Sequence, residues 1–198
     1  TAIFNDKNLG TVKSQNIGLK KAKGNFIYFA AADDYIFNDF FLTVNEILLK
    51  NNSLHLISGC SEIRCLLSNK SLGIRPTVMP LFKNGYVSNT SYLNMLKKSD
   101  YFILTGGCVI RHNTIKKIGG LEENLESFAD GYLVRTIAIK FGFYFLKNCF
   151  SVWSIHDNSY SKKNQINITK SLYLLQKIKR AMLKNSLFPA WYVKNFQK

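Results

Sequence analysis

The sequence predicts an α/β protein with a mostly parallel sheet that is flanked by helices and followed by a helical tail. A continuously apolar stretch, NFIYFAAA at residues 25–32, has the pattern of a strand buried on both faces. An amphipathic helical pattern and a second apolar stretch, LHLISGC at residues 54–60, come next. This β-α-β order is typical of an α/β sheet with right-handed crossovers.

The first half of the chain is predicted to contain one further short strand and two helices, at residues 2–4, 12–23 and 38–50. Gly24 is a plausible end for the first helix, because glycine tolerates the left-handed conformation of a helix cap. The stretch 68–89 holds two prolines, two glycines and many polar residues, which predicts a long loop over one edge of the sheet.

The second half is predicted to form three more helices, at residues 91–98, 112–118 and 128–141. Gly106 and Gly107 lie in an apolar stretch where they would permit close approach of the backbone. The segments FYFL and FSVWSI, which begin at residues 143 and 150, are predicted to be two separate short strands.

Composition indicates a packed globular protein, since hydrophobic residues make up 46% of the 198. No apolar run approaches the roughly 20 residues that span a bilayer. The 27 basic and 12 acidic residues give a formal net charge of +15, which favours an anionic partner, although lysines that only solvate the surface explain it equally well. The four cysteines have no metal-binding spacing, so we expect reduced thiols in a cytoplasmic protein.

Two adjacent carboxylates, Asp33 and Asp34, directly follow the first apolar strand. They repel each other and lose hydration where they are partly buried, and a bound cation would relieve both costs. Open α/β sheets bind ligands at the carboxyl ends of their strands, where this pair is predicted to lie. A surface turn is the alternative, because Asp favours turns and helix starts.

Three segments, in the same order, resemble the family-2 glycosyltransferases of GT-A fold. The run NLGTVKSQNIGLKKAKGNFIYFAAADD, which ends at Asp34, is similar to that family's Asn and Gly pattern before its aspartates. Residues 110–146 resemble a second block, in which a Gly-Gly pair and acidic residues precede the helix with the catalytic aspartate. VWSIHDNSYS, from residue 152, is similar to the family's W/Y-x-x-H-x-x-S segment. Residues 3–160 carry the resemblance.

The resemblance implies a partial GT-A catalytic domain over residues 1–160 and a basic amphipathic helical tail over residues 161–198. The family's first strands, which hold the nucleotide base, have no counterpart, so about two βαβ units, on the order of 60 residues, are expected to be missing from an N-terminally truncated piece. The family's aspartate motif usually opens with Asp where this chain has Ala31. This AADD variant leaves fewer carboxylates for a metal.

The resemblance also implies an inverting transfer of a sugar from a nucleotide-diphosphate donor to a hydroxyl of a glycan or lipid-linked acceptor, in cell-surface polysaccharide synthesis. Asp130 corresponds to the general base that takes the proton of the hydroxyl. A helix cap is the alternative role for this residue. Gly106 and Gly107 are expected to line the acceptor pocket.

Donor binding is expected from Asp33 and Asp34 together with Asn16 and Gly18. A Mg²⁺ or Mn²⁺ ion held by both carboxylates and by His156 would stabilise the charge on the departing diphosphate. A structural role is the alternative for His156, as for any lone histidine after a buried strand.

The spacing of apolar residues in the tail predicts a helix with one apolar face, formed by Leu172, Leu175, Ile178, Met182 and Leu183. With Trp191 and Tyr192 nearby, this basic helix suits an anionic membrane surface, which implies a peripheral location on the inner face of the membrane. A helix packed on the core is the alternative. Two other functions compete: a catalytically inert glycosyltransferase-like fragment and a basic nucleic-acid- or anion-binding module. No nucleic-acid recognition motif is visible, so no nucleic acid is expected as partner.

Overall fold

The computed structural model describes residues 2–100, 102–103, 105–156 and 168–196. Within these ranges one mixed sheet is flanked by helices, which confirms the predicted α/β class. The strands are β1 (Phe26–Tyr28), β2 (Tyr35–Ile36), β3 (Leu56–Cys65), β4 (Ser71–Arg75), β5 (Gly85–Val87), β6 (Cys108–Arg111) and β7 (Phe143–Ile155). The helices are α1 (Thr11–Lys21), α2 (Phe40–Lys50), α3 (Asn89–Leu96), α4 (His112–Ile118), α5 (Ala129–Phe141), α6 (Ile168–Lys184) and α7 (Ala190–Asn195).

The prediction that the sheet is mostly parallel is wrong. Its order is β1-β6-β3-β7-β2, and among the strands in the described ranges only β3 and β7 pair in parallel. Strand β6 runs antiparallel to both of its neighbours, β1 and β3, while β4 pairs with β3 and β5 with β7, also antiparallel. An apolar run fits a buried strand of either direction, so hydrophobic periodicity could not reveal the orientation of β6.

The two strands predicted around residues 143 and 150 are one strand, β7, of 13 residues. Its pairing with β3 shifts register near Gly59 and Cys60, so that Lys147 and Asn148 are accommodated as an irregularity within the strand. The backbone N–H of Lys147 donates to the side-chain oxygen of Asn84, 2.8 Å away. These two polar residues therefore do not divide the segment into two strands.

Two other predicted segments also differ. Residues 2–4 form no strand, and Phe4 is 90% exposed. The predicted loop at 68–89 contains β4 and β5. Both strands are short and lie outside the main path of the sheet, so neither carries the long apolar run that identified β1 and β3.

Hydrophobic residues pack on both faces of the sheet. On one face, Phe40 and Val44 of α2 pack against Ile57, Val109 and neighbouring apolar side chains. The larger cluster covers the other face with buried residues of α3, α5, α6 and α7, among them Tyr92, Leu133, Ile137, Ile178, Met182 and Tyr192. Burial of these side chains is the main source of stability.

The tail helices belong to this larger cluster, although the sequence suggested a boundary at residue 160. In α6, Leu174, Ile178 and Met182 are buried. Leu172 and Leu183, predicted on the same apolar face, are 55% and 67% exposed. The placement of Tyr192 at a membrane surface is also wrong, because this side chain is buried.

Gly107→Ala is expected to destabilise the fold by about 1–3 kcal/mol, as overpacking does. The added methyl would lie 2.6 Å from the carbonyl oxygen of Gly59. Neither backbone can move away easily, because Gly59 is in β3 and Gly107 directly precedes β6. Gly106→Ala in the same turn is the matched control, because nothing described lies within 4 Å of its added methyl. Urea unfolding of both variants tests this, and an equal loss in the two would contradict it.

Candidate active site

Three strands end at the same edge of the sheet. Because β6 is antiparallel to β1 and β3, and β3 is parallel to β7, strands β1, β3 and β7 all point the same way. We call the end where they finish the site edge. Strand β6 starts there, directly after a 3₁₀ turn at Thr105–Gly107. Helix α5 ends just before β7 begins, so its first turn lies towards the site edge as well.

Asp33 and Asp34 lie in the connection that leaves β1 at this edge and joins β2. The backbone N–H of Ser154, near the end of β7, donates to Oδ1 of Asp34 over 2.8 Å. Nε2 of His156 lies 3.1 Å from Oδ2 of Asp33. The structure thus brings together the carboxylate pair and the histidine, which are more than 120 residues apart in sequence.

Burial raises the pKa of Asp34, and the neighbouring Asp33 charge raises it further, while the bond from Ser154 opposes both effects. Tyr28 is close by. Burial and the Asp34 charge raise the pKa of this phenol to about 12, so it stays protonated and can donate a hydrogen bond. Asp34 therefore lies in a partly dehydrated environment that disfavours its negative charge.

A series of interactions leads from Asp34 to Asp130, beginning with the electrostatic effect of the Asp34 charge on Tyr28. The hydroxyl of Tyr28 donates to the carbonyl of Gly106 over 2.9 Å. The side chain of Thr105, in the same turn, hydrogen-bonds the carboxyl of Asp130. The turn that contains the predicted acceptor-pocket glycines, Gly106 and Gly107, thus lies between the carboxylate pair and Asp130.

Asp130 is in the first turn of α5, as the sequence predicted. The backbone N–H of Gly131 donates to its Oδ1 over 2.6 Å. Burial raises the pKa of Asp130 even though this bond, the positive charge of Arg135 and the helix N-terminus favour the ionised form. A carboxylate whose pKa lies above its ordinary value is a better proton acceptor, which is the property that a general base needs.

The structure does not assemble the expected metal ligands as one group. Among the described residues, no three side chains of His, Cys, Asp or Glu are grouped as a metal ion would require. His156 contacts Asp33, while one oxygen of Asp34 is directed to the Ser154 N–H. Metal binding by these three residues stays a prediction.

Asn16 has a structural contact that the sequence did not predict. Its side-chain amide donates to the carbonyl of Leu121 over 2.8 Å and accepts from the Leu121 N–H over 2.9 Å. This pair of bonds fastens α1 to the loop after the Gly119-Gly120 pair, beside a cavity of about 650 Å³. Gly18 faces open space, since a Cβ added to it would meet no described atom within 4 Å, and it contacts neither aspartate in the described hydrogen bonds. The donor roles of both residues stay predictions.

Several residues around the site escaped sequence reasoning. Tyr28 and Ser154 occupy strand positions where they look like ordinary sheet residues, and only the pairing of strands shows that they face the aspartates. Arg135 could have been noticed, because it lies four residues after Gly131 and therefore on the same side of α5.

No family model matches the chain, and no curated protein matches it. Solved structures of S. aureus TarS do match. TarS 1–349 in complex with UDP-GlcNAc has a TM-score of 0.68 at 14% identity, over 92% of this chain and 50% of that one. The complex with UDP has a TM-score of 0.63 at 16% identity, over 92% and 48%. A further TarS structure has a TM-score of 0.61 at 16% identity, over 92% and 29%.

These neighbours show that the chain has a GT-A-like glycosyltransferase fold. The chain spans about half the length of the TarS 1–349 structures. Membership of family 2 and the AADD variant rest on the sequence motifs alone and stay predictions.

Asp34→Asn is expected to raise the free energy of unfolding at neutral pH. Because the pKa of Asp34 is raised on folding, wild-type stability falls as pH rises from the ordinary value of this carboxyl through its folded value. The amide cannot ionise, yet its oxygen can still accept the Ser154 N–H. Urea unfolding of both proteins from roughly pH 3 to pH 7 should show an advantage of the variant that grows with pH. An advantage that is the same at every pH would contradict the burial argument.

Proposed function

We propose that the chain is part of an inverting glycosyltransferase of the family-2 type. It would transfer a sugar from a nucleotide-diphosphate donor to a hydroxyl of a glycan or lipid-linked acceptor, in the synthesis of a cell-surface polysaccharide. One observation carries this proposal: the Asp33–Asp34 pair and Asp130 are linked through the Thr105–Gly107 turn at one edge of a GT-A-like sheet.

A nucleotide-sugar donor is supported by the neighbours, since TarS was solved with UDP and with UDP-GlcNAc. Their likeness to this chain is one of fold, so the sugar and nucleotide used here remain open to experiment. The carboxylate pair suits the diphosphate end of such a donor only if a cation lies between the negative charges.

The donor atoms at the site are of the types that Mg²⁺ and Mn²⁺ accept, namely carboxylate oxygens and, for Mn²⁺, an imidazole nitrogen. Asp33 and Asp34 would hold the ion with His156 at its side. When bound, the ion would act as a Lewis acid for the departing diphosphate. The raised pKa of Asp34 fits this role, because a group that resists its own charge gains most from a neighbouring cation.

Asp130 supplies the second requirement of the reaction. Its carboxylate would accept the proton of the acceptor hydroxyl while the hydroxyl oxygen attacks the anomeric carbon. Attack on the face opposite the diphosphate breaks the bond between the anomeric carbon and the diphosphate oxygen, and it inverts the configuration of that carbon in one step. The backbone N–H of Gly131 and the Thr105 side chain fix the orientation of the carboxylate.

The outer face of α6 suits contact with an anionic membrane surface. We define this face by its exposed residues Leu172, Tyr173, Arg180, Leu183 and Lys184. Large apolar side chains alternate there with cations, the pattern of helices that lie in a membrane interface. Among the described residues, no helix is long and apolar enough to span a bilayer. We therefore propose peripheral attachment to the cytoplasmic face of a membrane, where a lipid-linked acceptor would be found.

Asp130→Asn should reduce glycosyl transfer by roughly 10² to 10⁴, because the amide keeps the shape of the carboxylate but cannot accept a proton. Donor affinity should change little. Asp33→Asn should instead weaken donor binding, and excess Mg²⁺ or Mn²⁺ should partly restore it. The measurements are transfer rate and donor affinity across a metal titration, made with the full-length protein.

The contrast between the two variants is the test. Near-full transfer by Asp130→Asn would exclude it as the base, and equal loss of donor binding in both variants would contradict the separation of roles. Absence of donor-dependent transfer and of donor hydrolysis in the wild-type protein would favour the inert glycosyltransferase-like fragment.

Reversing two charges on the outer face of α6, Arg180→Glu with Lys184→Glu, should weaken binding to vesicles that contain phosphatidylglycerol by at least about 30-fold, because each basic residue near an anionic surface contributes about 1 kcal/mol. Lys97→Glu with Lys98→Glu, an equal change at exposed positions after α3, is the control. Sedimentation with anionic and with neutral phosphatidylcholine vesicles measures it. Equal loss in both double variants would show only a general charge effect and refute this surface.

A further inference from the structure

Arg135 of α5 and Asp100 form an ion pair next to the first turn of this helix. Nε of Arg135 donates to both carboxylate oxygens of Asp100, at 3.2 and 3.0 Å. The two side chains are only 21% and 27% exposed. Burial disfavours the charge on Arg135, but Asp100 outweighs it and raises the pKa of the guanidinium, which is therefore always positive.

The same guanidinium reaches back to the turn that holds Asp130. Its Nη1 donates to the carbonyl of Gly131 over 3.0 Å, and the N–H of Gly131 donates to Asp130. Arg135 thus binds the carbonyl of Gly131, and the N–H of the same residue orients the Asp130 carboxylate.

Gly131 leaves the space that this contact needs. A Cβ at this position would lie 2.8 Å from Nη1 of Arg135, so any larger residue would push the guanidinium away. Glycine is unfavourable inside a helix by comparison with alanine, and nothing in the backbone of α5 requires it. Room for the guanidinium is the physical reason that the structure offers for a glycine next to Asp130.

Helix α7 completes the arrangement. The hydroxyl of Tyr192 donates to Oδ2 of Asp100 over 2.8 Å, and the ring of Phe196 lies 5.7 Å from the Arg135 guanidinium carbon. Tyr192 also stacks on Phe188, which stacks on Tyr132 of α5. The C-terminal segment therefore holds Asp100 and Arg135 in place from the side opposite to Asp130.

We propose that Arg135 is a positioning residue for Asp130, and that Asp100 and Tyr192 hold Arg135 in the productive orientation. The inference rests on the proposed function in one respect, the role of Asp130 as base. It adds that helix α7 supports the active site, through a series of four contacts that runs from Tyr192 through Asp100, Arg135 and Gly131 to Asp130. A buried ion pair that only stabilised the fold would need neither Gly131 nor the bond to its carbonyl.

The groups that face Asp130 determine what loss of Arg135 would do. Arg135 approaches it from α5, Cys108 from β6 and Thr105 from the preceding turn. Of these, Arg135 brings the positive charge, while burial raises the pKa of Cys108 to about 12 and keeps this thiol neutral. Without Arg135, the ionised form of Asp130 loses support and its pKa should rise further.

Four variants test the proposal in the protein used for the transfer assays. Gly131→Ala should reduce transfer about tenfold by displacing Arg135, while the thermal unfolding midpoint changes little, because the helix preference of alanine offsets the weakened ion pair. Tyr192→Phe should reduce transfer by up to about tenfold through the lost bond to Asp100. Arg135→Gln should shift the acid limb of the pH profile of kcat to higher pH. Arg135→Lys keeps the positive charge, so its pH profile should be close to that of the wild type. Tyr86→Phe, which removes a hydrogen bond to the carbonyl of Phe141 at the other end of α5, is the control for the tyrosine change.

A second readout does not need activity. The Asp130 carboxyl carbon, labelled with ¹³C and assigned through Asp130→Asn, should titrate at higher pH in Arg135→Gln and in Gly131→Ala than in the wild type. The proposal is overturned if Gly131→Ala and Tyr192→Phe affect transfer no more than Tyr86→Phe, or if the carboxyl titration is unchanged in all of them. If the wild-type protein transfers no sugar, the proposed function fails, and the carboxyl titration still decides whether Arg135 acts on Asp130.

Discussion

The parallel pairing of β3 with β7 is the interaction on which the rest of the structure depends. It runs from Ile57 opposite Tyr144 to Cys65 opposite Ile155. Strands β2, β4, β5 and β6 each pair with one of these two strands, and β1 pairs with β6. Strand β7 brings Ser154 and His156 to the edge where β1 releases the two aspartates. The helix before β7 returns Asp130 to that edge. A slip of one residue in this pairing would exchange the two faces of each strand and disperse the site.

The site edge concentrates negative charge in a partly dehydrated place. Burial raises the pKa of both Asp34 and Asp130, so each ionised carboxylate costs folding free energy. The protein offsets this cost with fixed donors, the N–H groups of Ser154 and Gly131, instead of neutralising the carboxylates. Carboxyl groups held in this way at a sheet edge are more useful for binding cations and protons than for stability, and perturbed carboxyls of this kind cluster at functional sites.

Much of the fold could be predicted from the sequence because its central elements are long and apolar. The β1-α2-β3 order, the position of Asp130 in the first turn of α5 and the placement of Asp33 and Asp34 after a strand all follow from local patterns. The direction of β6 and the continuity of β7 depend on which strands pair, and no local pattern contains that information. For the same reason, only the family resemblance predicted that His156 lies near Asp33, and the bonds of Asn16 to Leu121 were not predicted.

The tail shows how the same limit affects function. Amphipathicity identified α6, but the width and orientation of its buried face depend on what it packs against, and the cluster around Ile178 and Met182 leaves Leu172 and Leu183 outside. The chain then turns at 185–189, and Tyr192 is buried with its hydroxyl donating to Asp100. The segment that presents cations on its outer surface is thus continuous with the segment that supports Asp130 through Asp100 and Arg135. Helices α6 and α7 therefore share one hydrophobic core with α5, the helix whose first turn contains Asp130.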